Sequence, residues 1–140
     1  MNDRERKFLP AFAELVDRLT VDQIKEVLLP DLQAEMSREM DLLCHDIDLL
    51  IEERSLALNS RFIRIIVALS QMNVHIWHLK DKMNEQPDRY LELLKLAHQL
   101  NGIRNQLKNL LLEEGRDVEK SAQRTNFNTD GLEGWKISIE

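Results

Sequence analysis

The chain has 140 residues, enough to bury one core without disulfides or a metal to staple it. Only 5% of it is aromatic, and it holds four glycines and three prolines, a composition that suits helices and not a sheet. Its formal net charge of -6 comes with no basic run able to neutralise successive phosphates, which excludes an ordinary nucleic-acid binder.

In chain order, Phe8, Leu9, Phe12, Leu15 and Val16 fall at helical spacing and predict a short helix from Phe8 to Asp17, with Pro10 accommodated in its first turn. Thr20, three residues before Gln23, has the form of a capping box. A second short helix is therefore predicted from Val21 to Leu29, stopping before Pro30. Pro30 suits the start of a third helix reaching about Leu58, with Met36, Met40, Leu43, Ile47, Leu50, Ile51 and Leu58 on one face and Arg54 in the middle of it. Asn59 and Ser60 place a break after this helix; the alternative is a single helix from Asp31 to Met83, roughly 80 Å long.

The fourth helix, Arg61 to Met83, is apolar nearly all round, which predicts a central position. Pro87 opens a fifth whose apolar arc collects Leu93, Leu96, Leu100, Ile103, Leu107 and Leu111, with Arg104 inside it, ending near Gly115. Residues 116–140 break any long period and read as a loose C-terminal tail, although Trp135, Ile137 and Ile139 alternate like a strand and could dock. The expected architecture is an all-α antiparallel bundle of three long and two short helices over residues 1–115. A shift of 50 residues lays Arg54 on Arg104 and several leucines on one another, which points to a duplicated helical hairpin.

The opening residues carry no apolar core of signal-peptide length and no run of about 18 apolar residues occurs, so a cytoplasmic protein without membrane insertion is expected. Cys44, mid-helix and without a partner cysteine, is expected to be a buried reduced thiol.

Candidate site residues are the polar groups set in apolar faces: Asn73, Trp77 and Asp81 on the fourth helix, Asn101, Arg104 and Asn105 on the fifth, and Arg54 on the third. A buried guanidinium costs several kcal/mol unless paired, so Arg54 and Arg104 need carboxylates or carbonyls, with Glu14, Asp17 and Glu26 as sources of charge. The reading is a hydrogen-bonded network that fixes helix register, with an anion or sugar-phosphate pocket as the other use of the same arginines.

His75 and His78, one turn apart, would stand level with Asp41, His45 and Asp48 if the third and fourth helices packed antiparallel, a zinc or iron ligand set. They share solvent-facing strips with Arg64, Gln71 and Glu52, and no Glu-x-x-His pair accompanies them, so no metal and no cofactor is assigned. Glu14 and Asp17 have the spacing of one magnesium-holding acidic pair, where all-α hydrolases want two on facing helices.

The run Asn73, Trp77, His78, Leu79, Asp81, followed by Asn101, Arg104 and Asn105, resembles the signature of a family of small bacterial proteins grouped as a domain of unknown function and often encoded near surface-polysaccharide genes. The segment Glu14, Leu15, Asp17, Arg18, Leu19, Thr20, Ile24, Lys25 is similar to the opening motif of related small helical families. Where that family usually carries an acid before its Asp, this chain has Lys80. The resemblance covers about half the chain and implies an all-helical fold and a link to polysaccharide synthesis, without an activity. Sequence and resemblance together lead to a non-enzymatic helical accessory or interaction protein, working as a homodimer and with a protein partner. The alternative is a small-ligand-binding protein or metal-dependent hydrolase of all-α type.

Overall fold

The computed structural model describes residues 3–117 and 138–139, and every regular element among them is helical. Four helices, α1 (Phe12–Leu28), α2 (Gln33–Arg54), α3 (Ser60–Glu85) and α4 (Tyr90–Glu114), alternate in direction as two hairpins. None is long and apolar enough to cross a membrane.

The two short N-terminal helices of the sequence reading are one helix, α1. Thr20 does not start a helix: its hydroxyl donates to the Asp17 carbonyl oxygen at 2.7 Å, a bond back along the helix that leaves the backbone ladder unbroken. Phe8 and Leu9 precede the helix in an extended strap. The break between the third and fourth predicted helices is real. α2 stops at Arg54 because Ser55 turns left-handed (φ 50), and Asn59 caps α3 by accepting the Phe62 N–H at 2.9 Å.

α1, not α3, is the central helix, since it packs on all three others whereas the α2 backbone approaches only α1. Phe12, Leu15, Leu43, Ile65, Leu69, Leu100, Leu107 and Leu111 are fully buried between them, and the Phe12 ring meets the Phe62 ring edge to face with centroids 5.8 Å apart. Helix α3 is amphipathic in consequence: Ile63 and Val67 are 48% and 54% exposed. Cys44 is also exposed, where a buried thiol was expected.

The hairpin correspondence exists in a different register from the one the arginines suggested. Both hairpins turn through a 3-10 segment, Pro30–Leu32 and Pro87–Arg89, with Leu29 (φ -122, ψ 86) answering Gln86 (φ -128, ψ 72). The Leu29 and Gln86 amides donate to the carbonyls of Lys25 and Lys82, at 2.9 and 2.8 Å. The turns therefore superpose at a shift of 57 residues. In that register Arg54 answers Leu111 and Arg104 answers Ile47, so the two arginines are not equivalent.

Of the predicted tail, Trp135 and Ile137 lie outside the described residues. Asp117 is buried, Ile139 packs into the core, and Ser138 Oγ accepts a hydrogen bond from Arg64 at 3.0 Å.

Candidate ligand cleft

Residues 17, 20, 21, 24 and 25 share one side of α1 by helical spacing, and residues 73, 76, 77 and 80 share one side of α3. The fold turns these two sides toward each other and lays Asn101, Arg104 and Lys108 of α4 beside them. Asp17 is the hub. Its Oδ1 accepts from Asn73 Nδ2 at 2.9 Å and from Arg104 Nε at 3.2 Å, and its Oδ2 accepts a second Arg104 N–H. Lys108 Nζ stands 3.7 Å from Oδ2 and pairs with Glu14 at 2.7 Å. The Asn73 amide also donates to Thr20 Oγ1 at 2.7 Å. One carboxylate, 5% exposed, thus ties three helices at a fixed register, and its charge is matched by two cations and an amide.

Above this network opens a cleft of about 310 Å³ lined by Val21, Ile24, Lys25, Asn73, Ile76, Trp77, Lys80, Asn101 and Arg104. Asp17 holds Nε and one terminal nitrogen of Arg104, which leaves the other terminal nitrogen for Asn101 Oδ1 at 3.2 Å. Among the described residues the lining contains three cations, two amides, one indole and three aliphatic side chains, and no carboxylate, imidazole, thiol or hydroxyl. In a chain where 25 acids outnumber 19 bases, that local balance runs opposite to the whole.

Of the residues predicted to form a site, Asn73, Trp77, Asn101 and Arg104 line this cleft, and Asp17 sits directly behind it. Asp81 is exposed and Asn105 half-buried, and neither belongs to the lining. Arg54 is at the far end of the bundle. There it donates to the Gly115 carbonyl and to Asp117 Oδ1, both at 2.7 Å, while the Asp117 carboxylate accepts the Phe12 and Ala13 N–H groups at 2.9 and 3.2 Å. Ala11 offers α1 no side-chain cap, so a residue about a hundred positions away in the chain satisfies the first turn. Thr20, Lys25, Lys80 and Lys108 were missed as site residues, although the spacing of Lys25 from Asp17 and of Lys80 from Asn73 carries the signal.

The metal candidates are not assembled. His75 and His78 are exposed on α3, Asp41 is exposed on α2, and α2 packs on α1, which keeps the two ligand pairs apart. His45 has both ring nitrogens engaged, Nδ1 with Asp46 Oδ1 at 3.0 Å and Nε2 with the Asp3 carbonyl at 2.8 Å. Among the described residues no group of three His, Cys, Asp or Glu side chains could hold a metal ion. Glu14 and Asp17 are taken by Lys108 and Arg104.

Asp46, fully buried, anchors the N-terminal strap by accepting the Lys7 and Phe8 N–H groups and Arg6 Nε. Burial pushes its carboxyl up, but the Lys7 amide, His45, the Phe8 amide and Arg6 outweigh burial and hold it at about 2. The hydrogen bond to Asp46, and then that to the Asp3 carbonyl, raises the His45 imidazole in turn.

No family model, curated protein or solved structure matches the chain.

Proposed function

We propose that this chain is a non-enzymatic helical accessory protein that works by binding, with the α1/α3/α4 cleft as its recognition site. The observation that carries this reading is the division of labour among its polar groups. Among the described residues, three of the four buried acids, Asp17, Asp46 and Asp117, are consumed in holding helices and the strap, and no carboxylate, imidazole or thiol lines the cleft. What does face it is suited to recognition: fixed donors, a flat ring and aliphatic walls in a concavity at the small end of ligand sites. A place beside surface-polysaccharide synthesis rests on the signature running from Asn73 to Asn105, four of whose residues line the cleft.

The test is a small-molecule screen of anionic, neutral and cationic compounds by thermal shift, followed by NMR of the hits after long incubation. Hits recovered chemically unchanged, and weakened by Trp77→Leu, support the reading. Chemical conversion of a hit, or a screen without hits, would overturn it.

The same reading places a second copy of the chain on the outer face of α3, where Ile63 and Val67 leave apolar surface half-exposed.

A further inference from the structure

Resting on that reading of the cleft, we infer that its ligand is an organic phosphate: a phosphate monoester carried on a small ring, with the phosphate between Lys25, Lys80 and the Arg104 guanidinium and the ring against Trp77.

The charge count leads to the phosphate. Asp17 already neutralises Arg104 through Nε and one terminal nitrogen, and Asn101 Oδ1 takes one N–H of the other, which fixes the guanidinium plane where Arg104 lines the cleft. Lys25 and Lys80 form no ion pair and no carboxylate lines the cleft with them among the described residues; the buried Asp22 acts on Lys25 only through space. Two ammonium groups without an ion-pair partner among the described residues, beside a fixed guanidinium, match a group of charge about -1.5 to -2, which is a phosphate monoester at neutral pH. A carboxylate would satisfy only one of them.

The rest of the lining leads to the ring. Trp77 and the aliphatic Val21, Ile24 and Ile76 can cover a flat or saturated ring face, and the Asn101 amide can meet ring hydroxyls or heteroatoms. The volume of about 310 Å³ leaves room for one ring and one phosphate, and not for a dinucleotide. A phosphorylated sugar and a nucleoside monophosphate share this chemistry, and the experiment separates them.

Trp77 and Trp135 are the two tryptophans of the chain, so full-length protein carrying Trp135→Phe reports on Trp77 alone. Its emission is titrated with glucose 1-phosphate, AMP, inorganic phosphate, glucose and adenosine. The expected result is saturable change with glucose 1-phosphate or AMP, the tighter one identifying the source. Inorganic phosphate should bind more weakly and compete, and the matching neutral compound should bind at least about tenfold more weakly. Lys25→Gln and Lys80→Gln, both surface changes outside the Asp17 network, should each weaken the phosphorylated compound and leave the neutral one unchanged.

If glucose or adenosine binds as tightly as its phosphorylated form, or if neither lysine variant matters, the phosphate assignment falls while the cleft stands as a binding site. If no compound alters Trp77, the phosphate assignment falls and the wider screen decides on the cleft. Release of phosphate from either ester would instead overturn the non-enzymatic reading.

Discussion

Asp17 is held by Arg104, Asn73 and Lys108 at once, so removing one partner strands charge that the fold has already desolvated. Arg104→Met is expected to cost about 2–5 kcal/mol, read as a fall in the urea midpoint. Adding Asp17→Leu should restore much of that loss, because an apolar pair removes the stranded carboxylate; a double variant no more stable than the single one would contradict the account. Asp22 is the opposite case. It is 3% exposed, its Oδ2 has no hydrogen-bond partner among the described residues, and burial pushes its carboxyl up against the pull of Arg18 and Lys25. A raised acid favours the neutral form in the fold, so protonation adds stability as pH falls through the raised value, and at pH 7 the charge is a cost. Asp22→Asn should therefore raise Tm at pH 7 and raise it less at pH 4, a pattern that calorimetry at the two pH values can refute. The sequence showed Arg104 and Asn73 as polar groups inside apolar arcs. It did not single out Asp22, because a carboxylate between two basic residues on a helix has the pattern of a solvated face.

At the level of elements, the start of α1 is satisfied, and the ends of α2 and α4 are tied to it, by contacts of long sequence separation, which periodicity cannot reveal. Helix existence was legible from the 3.6-residue period, and the Asn59 cap from its residue type. The junction of Asp117 with α1 was not, and the capping-box pattern at Thr20 misled because a hydroxyl can satisfy itself one turn back within a helix. Gly115 closes α4 with an ordinary φ of -81, so its need is for space: an added Cβ would lie 2.5 Å from the Phe12 ring. Gly115→Ala should destabilise by about 1–3 kcal/mol, and an unchanged urea midpoint would mean that the ring shifts at no cost. The strap on Asp46 should depend on pH from both sides. The lowered Asp46 carboxyl supports docking above its ordinary value of about 4 and loses it as pH falls toward about 2. The raised His45 supports docking below its ordinary value of about 6.5 and loses it as pH rises through its raised one. The Lys7 and Phe8 amide resonances should report a docked strap between these limits, with Asp46→Asn releasing it throughout. A docked strap at pH 2 would refute the assignment.

For the whole molecule, two hairpins with superposable turns meet around a helix that belongs to the first of them, and this asymmetry opens the cleft on one side of α1. The fold class could be read from composition and period, whereas the helix at the centre could not, since α3, which carries apolar residues on two sides, keeps one of them open. If that face joins two copies, light scattering across a concentration series should give twice the chain mass, and Val67→Glu should halve it with helicity intact. A wild-type monomer at every concentration would exclude the dimer. The central claim, that the cleft between α1, α3 and α4 is where this protein binds, is tested most directly by mapping amide and indole NMR shifts during titration with the best phosphorylated ligand. The account predicts that the perturbed signals cluster at Lys25, Asn73, Trp77, Lys80 and Asn101 and disappear in the Lys25→Gln, Lys80→Gln double variant. Shifts confined to α2 or to the strap, or shifts that persist unchanged in that variant, would contradict it.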